Sequence, residues 1–320
     1  MKYKPIIIVA GEPNSIFFEI LLKTVHKNKF KSPIILIGSK NLLQKQIKFF
    51  KSKVKFNELD YSKKRIKINC LRKINLINIE YNQEHLFRKI SDKSNKYIEN
   101  SFSIALEIMN KGISNKLING PISKKHFLKN KFFGITEYLA KMTKSKNIAM
   151  IIYNKSLSVS PLTTHIPIKY VSKKITTSKI INHVKIISSF WKKYFKSLPK
   201  IAITGLNPHC ESLDIFNEDE KIIKPSIKFL KKKRHNISGP YPADTIFLKN
   251  NRKKFDIIIG MYHDQVLTPA KTLFEYDAIN ITIGLPFIRV SPDHGPNEQM
   301  LGKNKSNPIS LLRSLQFLDF

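Results

Sequence analysis

Short runs of Ile, Val, Leu and Thr recur along the whole chain, and longer amphipathic segments separate them. The runs are KPIIIVAG (4–11), SPIILIG (32–38), NKLINGPI (115–122), NIAMIIYN (147–154), LSVSPLTTH (157–165), KIAITGL (200–206), DIIIGMYH (256–263) and AINITIG (278–284). Apolar runs of this length, rich in β-branched residues, read as buried strands. Helical periodicity falls between them, over about 15–28, 95–111, 136–143, 176–196, 218–233 and 308–318. Thr176, Thr177 and Ser178 offer N-caps for one helix, and Glu218, Asp219 and Glu220 complement the dipole at the start of the next. The basic KKKR at 231–234 is an ordinary helix end. Strands alternating with helices imply a parallel sheet and an α/β fold. No Pro/Gly/Ser-rich tether divides the 320 residues, so two lobes would be interleaved rather than strung together.

Three of the runs close on a histidine: His165, His209 and His263. Open α/β sheets place ligands beyond the carboxyl ends of their strands. Three neutral imidazoles delivered there suit a borderline divalent ion and leave a coordination position open for substrate. A single strand-end histidine is more often a hydrogen-bonded structural residue, and only the repetition shifts the balance toward a metal. Asp264 follows His263 directly, and Asp244 lies in GPYPADTIF. A carboxylate beside a ligating imidazole orients the ring or relays a proton; either aspartate could equally cap a helix. His294, in SPDHGP, reads first as a loop residue bonded to backbone.

Lys271, Asn280 and Arg289 follow His263, and a lysine point charge, an amide and a guanidinium fork suit a phosphate or carboxylate. Arginine is scarce here, which singles out Arg289, whereas Lys271 is one lysine among many. In LINGPISKK (117–125) a strand runs through Gly-Pro into a helix start, where backbone N–H groups can bind an anion. Neither GxGxxG nor a Walker A sequence occurs, so a nicotinamide cofactor would need a different site, and no cofactor-binding residue can be named.

The net charge of +34 suggests nucleic acid at first sight. Of the 57 basic residues only 7 are Arg, and Lys is spread through helices and loops alike. Surfaces that read nucleic acid lean on arginine forks and clustered aromatics, so a basic nucleic-acid-binding protein is a distant alternative. Cys70 and Cys210 have no metal-ligand spacing and do not make a disulfide framework, which fits a reducing compartment. The apolar stretch near the N-terminus is too short for a signal-peptide core, and no segment reaches spanning length. A cytoplasmic protein without membrane partners is expected.

GLNPH (205–209), PADT (242–245), MYHDQ (261–265), NITIGLPFIR (280–289) and SPDHG (291–295) closely resemble the 4-hydroxythreonine-4-phosphate dehydrogenase family of vitamin B6 biosynthesis, as do VAGEP (9–13), NGPISK (119–124) and TTHIPI (163–168). The resemblance runs over nearly the whole length in the family's motif order. It implies two α/β/α lobes around a central cleft, as in isocitrate and isopropylmalate dehydrogenases, with 1–135 plus about 285–320 as one lobe and about 136–284 as the other. It implies a homodimer with a metal site shared between subunits, holding Zn, Mg or Co on His165, His209 and His263, with NAD or NADP as oxidant. It assigns substrate contacts to Thr136, Lys271, Asn280 and Arg289. The implied reaction oxidises 4-phosphooxy-L-threonine to a β-keto acid that loses CO₂ to give 3-amino-2-oxopropyl phosphate, with Asp244, Asp264 and Lys271 as candidate catalytic groups. Four departures from the family pattern stand out. Ile135 replaces a histidine, GEPNSIFFE and HCESLDIFN lack glycines, and Pro296-Asn297 stands where Thr-Ala is usual. A changed pocket wall around a retained metal would suit another phosphorylated hydroxy acid, such as threonate or erythronate 4-phosphate.

Overall fold

The computed structural model describes residues 3–61, 68, 74–129, 131–132 and 134–320. Cys70 lies outside the described residues. The chain divides into two compact units, residues 1–143 with 286–320, and residues 144–285.

The first unit starts with β1 (Ile6–Val9), α1 (Phe17–Lys27), β2 (Ile34–Gly38), α2 (Lys40–Phe49), β3 (Phe56–Glu58), β4 (Ile74–Asn78), α3 (Asn95–Asn110), β5 (Lys116–Asn119) and α4 (Ile135–Met142). Every residue of β1, β2 and β5 is buried, as expected for strands covered on both faces. The Ser39 hydroxyl caps α2 by accepting from the Leu42 N–H at 3.3 Å. Three of these elements, α2, β3 and β4, lie outside the expected set. The β3 sequence FNE is too short and polar to give a strand signal.

The second unit contains β6 (Ala149–Tyr153), β7 (Ser158–Thr163), α5 (Val171–Lys174), α6 (Thr177–Phe195), β8 (Ile201–Thr204), α7 (Lys224–Lys232), β9 (Ile237–Tyr241), α8 (Ala243–Ile246), α9 (Lys249–Arg252), β10 (Ile257–Tyr262), α10 (His263–Phe274) and β11 (Ile279–Ile283). Its strands run in the order β11-β6-β7-β10-β8-β9. β10 lies at the centre of the parallel part, with Ile259 opposite Ser160 of β7 and Ile203 of β8. The parallel arrangement expected from the alternating pattern has an exception here: β6 runs antiparallel to both β7 and β11. A short connection from Asn154 to Leu157 joins β6 to β7, and a link this short can only reverse the chain. Val159 of β7, Ala202 of β8, Ile258 of β10 and Val266 of α10 form part of one buried core cluster. Thr176 caps α6, its Oγ1 accepting from the Lys179 N–H at 3.2 Å.

The chain then returns to the first unit with β12 (Ile288–Pro292) and α11 (Ile309–Leu318). β12 pairs parallel with β5, with Arg289 opposite Leu117, and completes the order β3-β4-β2-β1-β5-β12. No helix among the described residues is long and apolar enough to cross a membrane.

Candidate active site

The carboxyl ends of β7, β10 and β8 are neighbours in the second unit, so the three histidines leave one edge of its sheet. His165 lies two residues past β7, and His263 is the first residue of α10, directly after β10. Their ring centroids are 5.7 Å apart, tilted by 42°. Two imidazoles sharing a tetrahedral ion, with N–metal distances of 2.0–2.1 Å, would put their centroids about 5 Å apart. The pair therefore has the chemistry and the approximate spacing of two ligands. The Asp264 Oδ1 lies 2.7 Å from His263 Nδ1. That contact fixes the tautomer and leaves Nε2 as the lone-pair donor.

His209 lies in the loop after β8, in a left-handed conformation with φ 54° and ψ 13°, and is exposed. The structure does not bring it into a group with the other two. Among the described residues, no three His, Cys, Asp or Glu side chains of one chain gather closely enough to hold an ion. Cys210, beside it, is buried. Burial and then the Asp219 carboxylate raise the Cys210 thiol above its ordinary range, with Asp244 adding a smaller push, so Asp244 lies near this loop. Asp244 and Asp264 are both exposed.

Asp219 does something different from what its sequence position suggests. Rather than facing the dipole of its own helix, it is fully buried beneath the GLNPH loop. Its Oδ1 accepts from the Leu206 N–H at 2.8 Å, and its Oδ2 from the Asn207 N–H at 3.1 Å and the Asn207 Nδ2 at 3.0 Å.

The expected substrate residues fall into two groups. Arg289 and Thr136 meet in the first unit, Arg289 Nη1 donating to Thr136 Oγ1 at 3.4 Å. Arg289 is only 2% exposed, and its Nε donates to Asn119 Oδ1 at 2.7 Å. Burial pushes its guanidinium down from the ordinary arginine range, and the Glu137 carboxylate opposes that. A buried cation of this kind favours an anionic ligand. Asn119 is not among the residues expected here, although it lies in LINGPISKK, whose backbone N–H groups the sequence offers to an anion. Lys271 and Asn280 belong to the second unit. Lys271 is exposed, about two turns along α10 from His263. Asn280, on β11, directs Nδ2 toward the Met150 sulfur at 3.5 Å, and its buried Oδ1 has no donor among the described residues. Ile135, half-buried, opens α4 immediately before Thr136. His294 is held locally, its Nδ1 3.0 Å from the Gly295 carbonyl oxygen.

The glutamate of VAGEP, Glu12, is buried and structural: its Oε2 accepts from Ser94 Oγ at 2.9 Å and its Oε1 from the Asn14 N–H at 3.2 Å. Beside this loop the first unit has a cavity of about 500 Å³ lined by Asn14, Tyr81, Arg88, Lys89, Lys93 and Lys96, among others. Its cations and aromatic wall could hold the pyrophosphate of a dinucleotide.

Comparison with known proteins extends this picture. The family described as pyridoxal phosphate biosynthetic protein PdxA matches residues 29–318. A 4-hydroxythreonine-4-phosphate dehydrogenase from Sulfurihydrogenibium is 40% identical, over 97% of this chain and 95% of its own. A D-threonate 4-phosphate dehydrogenase from Salmonella typhimurium is 29% identical, over 99% and 98%. The crystal structure of 4-hydroxythreonine-4-phosphate dehydrogenase from Klebsiella pneumoniae superposes with a TM-score of 0.83 at 25% identity, covering 98% of both chains. A β-decarboxylating dehydrogenase from Thermococcus kodakarensis shares the fold, with a TM-score of 0.51 at 11% identity over 98% of this chain and 81% of its own. The two-unit α/β chain with paired strand-end imidazoles and a buried arginine belongs to the PdxA family and is a dehydrogenase.

Proposed function

We propose that the protein is a metal-dependent, NAD(P)-linked dehydrogenase that oxidises 4-phosphooxy-L-threonine to a β-keto acid, which loses CO₂ to give 3-amino-2-oxopropyl phosphate. The observation that carries this reading is the His165–His263 pair, held 5.7 Å apart at adjacent parallel strand ends, with Asp264 setting the tautomer of one ring. These two histidines and His209 would hold the ion, in a homodimer whose second copy brings the third imidazole to the pair. When bound, the divalent ion supplies a Lewis acid for the reacting hydroxyl, and the nicotinamide supplies a hydride acceptor.

The chain's own residues bind, orient and move the proton. Arg289 and Thr136 grip an anionic group of the substrate, and Asn119 keeps the guanidinium aimed. The Asn280 Oδ1 accepts from a substrate N–H or O–H. Lys271 adds positive charge at the anionic end. Asp264 orients His263, and Asp244, exposed near the His209 loop, takes the hydroxyl proton through water. The basic cavity beside the VAGEP loop holds the cofactor's phosphates.

A second reading is favoured by one residue. Ile135 cannot donate a hydrogen bond where the family has histidine, which suits D-threonate 4-phosphate or an erythronate analogue. An NADH-formation assay with these phosphorylated acids, with and without Zn²⁺, Mg²⁺ or Co²⁺, separates the readings. Turnover of 4-phosphooxy-L-threonine that requires metal and disappears in His209→Ala is the expected result. Full activity after chelation and in that variant would remove the metal from the mechanism.

A further inference from the structure

We propose that Gln265 is a positioning residue that locks the strand end leading into His209 to the strand end carrying His263, and so fixes the place from which one chain offers each imidazole to its metal site. The inference rests on the reading of those histidines as ligands given above.

Gln265 is 9% exposed and lies in the first turn of α10, two residues after His263. Its Oε1 accepts from the Met261 N–H at 2.7 Å, just before His263. That bond alone would be a helix-start device, a side chain in the first turn reaching back to the incoming backbone. The other two bonds are not local. The same Oε1 accepts from Thr204 Oγ1 at 2.8 Å, and Nε2 donates to the Gly205 carbonyl at 2.8 Å, about sixty residues away in sequence. Three of the four hydrogen-bonding positions of the amide are thus used, all at the carboxyl ends of β8 and β10.

The clamp extends on both sides. Thr163, at the end of β7 and two residues before His165, donates from Oγ1 to the Met261 carbonyl at 2.7 Å. On the far side, the buried Asp219 carboxylate fixes the Leu206 and Asn207 amides that lead into His209. One polar chain thus joins Thr163, Met261, Gln265, Thr204, Gly205 and Asp219 beneath all three histidines.

Two glycines show how tightly the clamp is built. A Cβ on Gly205 would lie 2.6 Å from Asp219 Oδ1 and 2.7 Å from Cys210 Sγ. A Cβ on Gly260 would lie 2.4 Å from Val266 Cγ1 and 3.1 Å from Gln265 Oε1. The space those side chains would occupy is taken by the clamp and its support. Networks behind ligating imidazoles hold the first ligands in register, and their loss typically costs roughly 10–100-fold in metal affinity.

The test uses the full-length, metal-stripped chain, titrated with Co²⁺ and followed by amide hydrogen exchange, for wild type, Gln265→Leu and Gln265→Glu. Gln265→Glu keeps the acceptor for Thr204 and Met261 but sets a second acceptor against the Gly205 carbonyl. Both variants are expected to bind Co²⁺ roughly 10–100-fold more weakly. Exchange should accelerate at residues 204–210 and 261–263 while β6 and α6 keep their protection. Unchanged Co²⁺ affinity, or exchange that rises evenly across residues 144–285, would overturn the proposal. The even rise is the signature of a residue that only stabilises the unit. If the wild type itself binds no Co²⁺, the metal reading fails on its own. Exchange then decides for Gln265: loosening confined to the two strand ends retains the clamp, and unchanged rates there remove it.

Discussion

His183 gives the second unit a built-in sensitivity to acid. It lies on α6, 7% exposed, with Nε2 2.8 Å from Ser160 Oγ on β7. The Ser160 hydroxyl already donates to the Met150 carbonyl at 2.6 Å, so it can only accept from the imidazole. The neutral Nε2–H tautomer satisfies this arrangement, and a second proton would be buried with no counter-ion among the described residues. Burial, reinforced by the Lys179 charge, lowers the pKa from 6.5 to about 4. Because the folded value lies below the unfolded one, the stabilisation is complete above about pH 6.5 and is lost as pH falls toward about 4. At about 1.4 kcal/mol per pH unit the loss is about 3 kcal/mol, a large share of the stability of an ordinary domain. His183→Gln keeps an N–H donor for Ser160 and cannot titrate. Urea unfolding of both proteins from pH 7.5 to 4, followed by circular dichroism, isolates the histidine as the difference between two curves. The wild type is expected to lose about 3 kcal/mol more than the variant. Parallel curves through that range would refute the argument.

Arg289→Lys keeps the charge but not the planar fork, and KM for the phosphorylated substrate should rise roughly 10–100-fold, with little change in thermal midpoint. Ile135→His adds a donor beside Thr136; roughly a tenfold gain in kcat/KM for 4-phosphooxy-L-threonine over D-threonate 4-phosphate is expected, and an unchanged ratio would show that this wall does not select substrate. Gly205→Ala forces a methyl against Asp219 and Cys210. A loss of about 1–3 kcal/mol in denaturant unfolding is expected, and a neutral result would mean that the loop is looser than its contacts indicate.

The strand-end histidines were legible because a buried strand and its final polar residue leave a compact signal. Elements that depend on partners far along the chain were not. The reversal at β6 is not in NIAMIIYN itself, which looks the same in either direction, but in the two-residue gap before the next run, which leaves room only for a hairpin. Asp219 looked like a helix-start acid because its position satisfies that rule, yet the nearby GLNPH loop offers two backbone N–H groups and the Asn207 side-chain amide, and wins. Gln265 was visible only as one letter of MYHDQ, for its role depends on Thr204 and Gly205. Asn119 was hidden in the same way: a strand asparagine has no periodicity to reveal that it aims an arginine 170 residues later. Arg289 stood out by composition, and Lys271 did not.

The return of the chain to its starting unit has a consequence for biosynthesis. On the ribosome, residues 144–285 emerge as an entire sheet with its helices before β12 has been translated. β5 meanwhile waits with one side unpaired, and α1 waits for α11. The middle of the polypeptide can therefore mature first, while the portion made earliest finishes last. A nascent chain stalled before residue 286 should already protect β10 from protease while leaving β5 open to attack.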